Sequence, residues 1–483
     1  MKENIDVNFA MKNLKKARKI AERCPLRPKY HFLAPAYWMN DPHGLIYYKG
    51  EYHIFYQHNP YGVEWGTLHW GHAKSKDLVF WEHLPLALVP SKRKNEENCY
   101  SGSCIVNNGI PTIIYTSIGS DKPQTTGAEQ WLAISTDDMI SWQKSEKNPI
   151  MTLELHKSKD LDIREWRDPY VWKEKDNYYA VLAGYIYKPH QSVILLYSST
   201  NLIDWKFIKI LTKGHFKKRI KWECPNFFSI KSKHILIVSS FRNQIYTKEV
   251  HAIDRHVFYT LGTYKNTQFE HDEWRILDQG SLFYAPSTMI DSRGRVIMWG
   301  WLSARGTKGW NGCLTLPRIL TLRFDNKLGF KPAPELESLR KNHYSFDQLA
   351  THDSLNDSLK AIKSNCLELL VRFKLTNKDL IGIKFNEIDE SQSIIYSQKS
   401  NQIKIGKEEF NFFLSNDEKF LELHIFIDNS IIEVFINKRE CFSGQLYSQP
   451  NNSLSLSIIS EDNNNINNLD IWELKNIWEK KNN

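Results

Sequence analysis

Short runs of alternating or wholly apolar residues, separated by turn-forming residues, cover most of the chain and predict β-strands. Many of these runs flank turns of the K-G, N-N-G or S-R-G-R type, a pattern that indicates antiparallel hairpins. Near the N-terminus the spacing changes, and Phe9, Leu14, Ala17 and Ala21 recur at helical intervals. We therefore expect an all-β protein with a short N-terminal helix.

A motif ending in tryptophan repeats along the first half of the chain. It reads S-K-D-L-V-F-W up to Trp81, S-T-D-D-M-I-S-W up to Trp142 and S-S-T-N-L-I-D-W up to Trp205, at intervals of about 60 residues. A second set of short motifs, each followed by a predicted hairpin, has the same period and begins at Asp41, Ser101, Asp168, Glu223 and Ala285. Radial repetition of several short strands is typical of a β-propeller, and these motifs predict five blades.

The repeat stops near residues 330–360, where F-K-P-A-P-E-L-E-S-L-R leads into a stretch rich in Ser, Asn and Asp. The strands predicted beyond it lack the repeat motif and indicate an antiparallel β-sandwich. We expect three parts: an N-terminal helical extension at residues 1–27, a five-bladed β-propeller at 28–335 and a C-terminal antiparallel β-sandwich at 336–483.

The chain has a net charge of +9, and a basic cluster lies on the predicted helix at Lys12, Lys15, Lys16, Arg18 and Lys19. Basic proteins often bind nucleic acid, but no nucleic-acid-binding motif accompanies this cluster. A solvated helix face explains the cluster better, so no nucleic-acid partner is expected.

The seven cysteines are an odd set without a C-x-x-C pair or metal-ligand spacing, which argues against a disulfide framework and suits a reducing compartment. No run approaches 18 consecutive apolar residues, so no membrane-spanning helix is expected. The first residues lack the apolar run of a signal peptide, and we expect a cytoplasmic protein. The sequence leaves monomer and homodimer open.

Residues at the same phase of the repeat should meet, because the innermost strand of every propeller blade runs along one central channel. The in-phase residues are Asp41, Ser101, Asp168, Glu223 and the Tyr284–Ala285 step. Three acids would therefore converge. A Ca²⁺ site would need more oxygen ligands at close spacing, and the D-T-G loops of aspartic proteases are absent, so neither a metal nor another cofactor is expected.

Two carboxyl groups placed across a scissile bond are what glycoside hydrolysis requires. The chain is also rich in aromatic residues, with 16 Trp and 22 Tyr, whose flat faces can stack on sugar rings. Near the acids, amides for hydroxyl recognition and aromatic walls are expected from Asn40, Gln57, Trp38, Trp65, Trp222 and Tyr284. These features favour a small-molecule sugar as the substrate.

Six motifs, in order, resemble the signatures of glycoside hydrolase family 32, the β-fructosidases. They are W-M-N-D-P-H-G (38–44), Y-S-G-S (100–103), W-R-D-P (166–169), W-E-C-P (222–225), F-Y-A-P (283–286) and G-W-N-G-C-L-T-L-P-R (309–318). I-D-N-S-I-I-E-V-F-I-N (427–437) is similar to the motif of the family's sandwich domain, and the resemblance covers about residues 28–475.

The resemblance implies a retaining double displacement at the fructosyl C2 atom. By position, Asp41 would be the nucleophile, Glu223 the acid/base, and Asp168 the residue that binds fructose hydroxyls and stabilises the transition state. Their neighbours at Trp38, Asn40, Gln57, Trp65, Tyr100, Ser101, Arg167 and Tyr284 would bind substrate. The carboxyl groups of Asp41 and Glu223 should then lie about 5–5.5 Å apart. Arg167 is expected to keep its neighbour Asp168 charged.

The sequence departs from the family pattern at four places. His43 replaces the usual Asn and could alter the hydrogen bonding of the nucleophile, and Tyr100 replaces Phe. Leu282 and Ser287 flank F-Y-A-P where Asp and Gln are typical. Arg305 replaces a frequent Trp and could either suit an anionic leaving group at the pocket rim or face solvent.

Hydrolysis of sucrose or sucrose 6-phosphate is the function that these features favour. Exo-hydrolysis of short fructans, as by an inulinase or levanase, is the alternative within the same chemistry. A non-catalytic sugar-binding protein would be expected to lose an acid, and none is lost. An arabinanase-type enzyme would not be expected to carry W-M-N-D-P and W-E-C-P, while transfer instead of hydrolysis stays open.

Overall fold

A computed structural model describes most of the chain. The described residues are 2–119, 127–159, 161–214, 220–247, 250–347, 352–375, 380–385, 392–415, 418–446, 454–460 and 466–478. Within these ranges the protein is mostly β, as predicted, and no helix has the length and apolar character needed to span a bilayer.

The predicted N-terminal helix is present as α1 (Lys2–Ala21). Ala10, Leu14, Ala17 and Ala21 are buried at helical spacing, and this face packs on the β-strands that follow. The lysines of the basic cluster lie on the exposed side. Phe9, which the apolar pattern included, is instead 64% exposed, because its ring lies at the edge of the contact, 6.2 Å from the ring of Tyr61.

Antiparallel strands follow α1 in successive groups along the chain. The first two groups are β1 (Tyr37–Tyr48), β2 (Glu51–Asn59), β3 (His69–Ser75), β4 (Trp81–Leu88), and β5 (Asn98–Asn107), β6 (Ile110–Ile118), β7 (Glu129–Ile134), β8 (Gln143–Lys144). The third and fourth are β9 (Ile163–Glu174), β10 (Asn177–Ile186), β11 (Gln191–Ser199), β12 (Trp205–Lys213), and β13 (Lys221–Ile230), β14 (Lys233–Thr247), β15 (Val250–Lys265), β16 (Gln268–His271), β17 (Arg275–Ile276). The next is β18 (Phe283–Ile290), β19 (Val296–Arg305), β20 (Trp310–Leu314), β21 (Arg318–Leu322), β22 (Leu328–Pro332).

The first strands of these groups form a closed ring of contacts. β1 touches β5, β5 touches β9, β9 touches β13, β13 touches β18, and β18 touches β1 again. The repeat ending in tryptophan forms the turn before the fourth strand, where Trp81 Nε1 donates to Leu78 O at 3.1 Å and Trp205 Nε1 donates to Leu202 O at 3.0 Å. The periodicity of the sequence therefore corresponds to repeated structural units.

The ring is joined by backbone pairing between the first and the last group. β20 pairs with β1 in parallel, with Tyr37 opposite Trp310 and Trp38 opposite Asn311. Gly312 allows this approach, because its φ is +83° and a Cβ atom there would lie 2.0 Å from Met39 O.

The C-terminal region contains the helix α2 (His352–Lys360) and two antiparallel sheets. Its strands are β23 (Arg340–Asp347), β24 (Cys366–Lys374), β25 (Leu380–Lys384), β26 (Ser393–Ser397), β27 (Gln402–Ile405), β28 (Glu408–Asn411), β29 (Phe420–Asp428), β30 (Ile431–Ile436), β31 (Glu440–Gln445), β32 (Ser457–Ser460) and β33 (Ile466–Leu474). One sheet has the order β23-β33-β24-β29-β30-β31 and the other β28-β27-β26-β25-β32. Their apolar faces share one core.

A buried ionic cluster connects the strand ring to the C-terminal sheets. Arg318 lies 2.7 Å from Asp278 and 2.6 Å from Glu433, and all three side chains are fully buried. His31 contributes both ring nitrogens, with Nδ1 2.9 Å from Asp428 and Nε2 3.0 Å from Glu433. Charges buried at this depth require such partners, so the cluster fixes how the two parts pack.

Candidate active site

The predicted site motifs lie near the start of each ring strand, at a point where the β-ladder is interrupted. The register shifts fall at Met39/Pro42, Cys99/Gly102, Arg167/Tyr170, Glu223/Asn226 and Tyr284/Ser287. Most of these interruptions contain a proline, which has no N–H to donate to the ladder. Bulges of this kind re-aim side chains, and here they turn them towards the ring axis.

The residue before the proline has left-handed backbone geometry in three of the motifs. Its φ is +63° at Asp168, +48° at Cys224 and +44° at Ala285. Non-glycine residues adopt this conformation at an energetic cost and mainly where the surrounding structure enforces it. The ring strands that carry Asp168, Glu223 and Tyr284 thus share this backbone feature at the interruption.

A pocket with a volume of about 280 Å³ opens at this end of the ring. It is lined by Trp38, Asn40, Asp41, Gln57, Trp65, Tyr100, Arg167, Asp168, Glu223, Arg255, Tyr284 and Trp301. The structure thus brings the predicted site residues to one pocket surface, with the exceptions of Ser101 and Trp222. Ser101 is buried beside it, and its Oγ donates to Asp41 Oδ2 at 2.8 Å.

Asp41 is held by an extended hydrogen-bond network. Asn40 Nδ2 donates to Asp41 Oδ1 at 3.0 Å, and Asn40 is itself oriented by Trp38 and Gln57. Burial raises the pKa of Asp41 above its ordinary value, hydrogen bonds from Asn40 and Ser101 oppose this rise, and the charge of Glu223 adds to it. The hydrogen-bond network therefore favours the ionised carboxylate and opposes the effect of burial.

Asp168 is a buried acid close to Asp41. Its Oδ2 accepts a hydrogen bond of 3.0 Å from Cys224 N, and the Cys224 thiol lies 3.4 Å from Asp41 Oδ2 and 3.5 Å from Asp168 Oδ2. Burial raises the pKa of Asp168 to about 7, and Glu223 and Asp41 contribute to the rise. Arg167 opposes this rise from 3.9 Å and so favours the charged form of Asp168, although the effect of burial is larger.

Arg167 pairs mainly with two other carboxylates. Its Nε and Nη2 atoms donate to Glu223 Oε1 at 3.1 and 2.6 Å, and Nη1 donates to Glu165 Oε2 at 2.7 Å. The other oxygen of Glu223 accepts a hydrogen bond of 2.6 Å from the hydroxyl of Tyr284. Burial and the charge of Glu223 raise the pKa of Tyr284 well above its ordinary value, so the hydroxyl keeps its proton and acts as a donor. Glu223 is thus oriented from both sides.

Two sequence-based expectations about the surroundings change, and the choice that the sequence left open for Arg305 is decided. Trp222 does not line the pocket, because neighbouring residues of a strand point to opposite sides, and its ring packs on Trp274. His43 lies on the far side of the β1 bulge and stacks on Trp70 at 3.9 Å, where burial lowers its pKa well below the usual range. Arg305 faces solvent, with its Nη1 3.7 Å from Glu64.

Arg255 and Trp301 are pocket residues that the sequence did not indicate. Arg255 lies on the third strand of its group and Trp301 on the second, so neither shares the phase of the ring-strand motifs. The Arg255 guanidinium carbon is 5.3 Å from the Tyr284 ring centroid and 5.6 Å from that of Trp301. Over the residues that the structure describes, no group of three or more His, Cys, Asp or Glu side chains is arranged to hold a metal ion.

Sequence comparison places these features in a known family. The model for the N-terminal domain of glycosyl hydrolases family 32 matches residues 31–332, and the model for the C-terminal part matches residues 335–473. A sucrose-6-phosphate hydrolase of Zymomonas mobilis is 35% identical over 85% of this chain and 83% of that protein. A sucrose-6-phosphate hydrolase of Escherichia coli is 31% identical over 88% of this chain and 90% of that protein.

Solved structures agree with the sequence matches. A Bombyx mori GH32 β-fructofuranosidase has a TM-score of 0.80 and 25% identity, covering 98% of this chain and 99% of that one. A sucrose-6-phosphate hydrolase from Lactobacillus gasseri, at 21% identity, also has a TM-score of 0.80 and shows the same fold. A β-propeller combined with a β-sandwich is thereby confirmed. The matched domain models and the extent of the similarity show that the chain belongs to glycoside hydrolase family 32.

Proposed function

We propose that this protein hydrolyses the terminal β-D-fructofuranoside bond of sucrose or sucrose 6-phosphate, with retention of configuration. The main support is the meeting of three acids in one pocket. The Cys224 thiol lies within 3.5 Å of both Asp41 and Asp168, and Arg167 connects Asp168 with Glu223. The family and the names of its relatives point to the same substrates.

Asp41 is the proposed nucleophile. Its carboxylate would attack the fructosyl C2 atom as the bond from C2 to the leaving-group oxygen breaks, forming a covalent fructosyl-enzyme. Hydrogen bonds from Asn40 and Ser101 hold the carboxylate and favour its ionised form. The Cys224 thiol lies 3.4 Å from Asp41 Oδ2 and provides a further contact to the carboxylate.

Glu223 is the proposed acid/base. It would give a proton to the leaving-group oxygen in the first step and take one from the attacking water in the second. Arg167 and Tyr284 each bind one of its carboxyl oxygens and so fix its orientation. A retaining mechanism requires its carboxyl group to lie about 5–5.5 Å from that of Asp41.

The remaining pocket residues are proposed to bind the fructosyl unit. Asp168 would accept hydrogen bonds from fructose hydroxyls and stabilise positive charge that develops on the ring. Asn40 and Gln57 offer amides, while Trp38, Trp65 and Tyr100 offer aromatic faces. The pocket volume of about 280 Å³ suits a single sugar unit, with the leaving group directed towards the opening.

We further propose that the catalytic domain is a five-bladed β-propeller at residues 28–335, preceded by a helical extension at 1–27 and followed by a β-sandwich at 336–483. The ring of contacts through β1, β5, β9, β13 and β18 supports five blades. Parallel pairing of β20 with β1 supports closure between the first blade and the last.

Exo-hydrolysis of short fructans is a second candidate. Trp65 lines the pocket yet is 53% exposed, so its ring could stack on a further sugar of a longer substrate. A levanase of Bacillus subtilis is 28% identical over 94% of this chain. Relative kcat/KM values on sucrose, sucrose 6-phosphate, kestose and inulin separate the two candidates.

The test is a product assay with purified protein, with anomeric NMR to establish the configuration of the released fructose. We expect cleavage with retention, and a loss of kcat of about 10²–10⁴-fold in Glu223→Gln, with at least as large a loss in Asp41→Asn. Asp138→Asn and Glu146→Gln are matched controls, because these acids are 66% and 85% exposed and lie outside the pocket.

An inverted product would contradict the assigned roles. Activity confined to kestose or inulin would replace sucrose with short fructans as the substrate. Binding of sucrose without cleavage would identify a sugar-binding protein on the family's scaffold.

A further inference from the structure

One cation of the pocket is not neutralised by its acids. Arg255 has no ion pair among the parts of the chain that the structure describes, although it lines the same pocket as three carboxylates. Arg167, by contrast, is bound to Glu223 and Glu165. The pocket therefore holds one arginine that is paired with acids and a second, Arg255, that donates no hydrogen bond to any side chain the structure describes.

The position of Arg255 follows from the strand register of its blade. Glu223 aligns with Ser239 and Val257 across β13, β14 and β15, whereas Arg255 aligns with Phe241 and with Lys221, the first residue of β13. Arg255 thus lies two residues, or about 7 Å, beyond the level of Glu223, on the side where the ring strand begins.

Tyr284 connects Arg255 to the acid/base. Its hydroxyl binds Glu223, while its ring lies 5.3 Å from the Arg255 guanidinium carbon. Trp301 provides a second aromatic face at 5.6 Å. Cation–π contacts of this kind hold a guanidinium in place without occupying its N–H groups. The guanidinium of Arg255 is therefore held next to the tyrosine that binds Glu223, the proposed proton donor to the leaving group.

We propose that Arg255 binds a phosphate group on the departing hexose and makes the pocket select sucrose 6-phosphate over sucrose. This inference rests on the proposed function. A guanidinium matches two phosphate oxygens with parallel N–H donors. A phosphate dianion that enters a site with three acids is repelled unless a free cation compensates its charge, and Arg255 supplies that cation. Arg305 does not, because it is 69% exposed and faces Glu64.

The test compares kcat/KM for sucrose 6-phosphate and for sucrose in the wild type and in three variants. The wild type should prefer the phosphorylated substrate, and Arg255→Gln should lower the ratio of the two values by about 10- to 100-fold. Arg255→Lys keeps the positive charge but not the parallel N–H donors of a guanidinium. It should therefore retain part of the preference for sucrose 6-phosphate. Arg305→Gln, which removes the same charge outside the pocket, should leave the ratio unchanged.

Product inhibition of the wild type tests the inference without a variant. Glucose 6-phosphate should inhibit sucrose hydrolysis at a lower concentration than glucose, and Arg255→Gln should abolish the difference. Equal losses on both substrates in Arg255→Gln would show a packing role and overturn the inference. A wild type that cleaves sucrose as well as its 6-phosphate, with equal inhibition by both products, overturns it while the proposed function stands. A wild type that cleaves neither compound overturns both.

Discussion

The hydroxyl of Tyr284 donates a hydrogen bond of 2.6 Å to Oε2 of Glu223, the carboxyl group that Arg167 binds from the other side. The two residues come from neighbouring ring strands, β18 and β13. Because the two donors act on different oxygens, they hold the carboxyl plane in one orientation. The alignment of the proposed acid/base therefore depends on contact between two neighbouring groups of strands.

Removal of this hydroxyl should slow the reaction without unfolding the protein. Tyr284→Phe keeps the ring that contacts Arg255 but deletes a hydrogen bond to a charged group, so kcat/KM on sucrose should fall by about 10- to 100-fold. Steady-state kinetics measure the loss. Tyr48→Phe is the matched control, because that hydroxyl donates to Gly109 O on the exposed surface. An unchanged kcat/KM in Tyr284→Phe would show that Arg167 orients Glu223 alone.

Replacement of Asp168 by Asn should lower the activity and raise the stability of the protein at alkaline pH. Its pKa is raised to about 7 in the folded protein, from an ordinary value near 4, so the folded state binds this proton more tightly than the unfolded chain. Ionisation of Asp168 therefore lowers the free energy of unfolding increasingly as pH rises from about 4 to 7. Above that range the full loss of stability is present. Asp168→Asn should lose most activity. At pH 8, however, its free energy of unfolding in urea should exceed that of the wild type by on the order of 1–4 kcal/mol.

The same comparison at pH 4 supplies the control, since both proteins are then neutral at this position and the gain should vanish. A variant that is less stable than the wild type at pH 8 would contradict the prediction. It would show that the hydrogen bond from Cys224 N outweighs the cost of burying the charge.

His31 should make stability depend on pH in the alkaline range. Burial lowers its pKa, but hydrogen bonds and charge from Asp428 and Glu433 outweigh this and raise it to about 9. The raised pKa stabilises the fold fully below about 6.5, and this contribution is lost as pH rises through about 9. Urea unfolding should show a loss on the order of 3 kcal/mol between these values. In His31→Asn that part of the pH dependence should be absent, and an identical pH profile would refute the assignment.

Arg318 should be among the most sensitive positions for stability. Its fully buried side chain compensates Asp278 and Glu433, so Arg318→Met would leave Asp278 without its cation and Glu433 with His31 alone. The free energy of unfolding should fall by about 3–5 kcal/mol. Arg305→Met, at a side chain that is 69% exposed, should change it little. Equal effects of the two substitutions would show that the charge of Arg318 is not needed to stabilise these acids.

The sequence predicted the meeting of the acids because the motif repeat has the same period as the structural units. Residues of equal phase, such as Asp41 and Asp168, come together as expected. The prediction failed where local backbone geometry decides direction. Trp222 points away from its neighbour Glu223, and the bulge in β1 sends His43 towards Trp70. Neither a bulge nor its direction can be read from periodicity alone.

Arg255 and Trp301 could not be found by phase, because they reach the pocket from the outer strands β15 and β19. The main ion-pair partner of Arg167 could not be predicted from the sequence either. Adjacency in the chain suggested Asp168, whereas the folded protein pairs it more closely with Glu223 on the next ring strand. Ion pairs formed between strands far apart in the chain depend on distances that the sequence does not contain.

Pairing of β20 with β1 also has a consequence for how the protein is made. As the chain leaves the ribosome, the outer edge of β1 has no backbone partner until the segment around Trp310 has been synthesised. An open edge is a template for pairing with other molecules. We therefore expect translation that stops before this point to leave the edge of β1 at Tyr37 and Trp38 unpaired, which favours association with other molecules over folding.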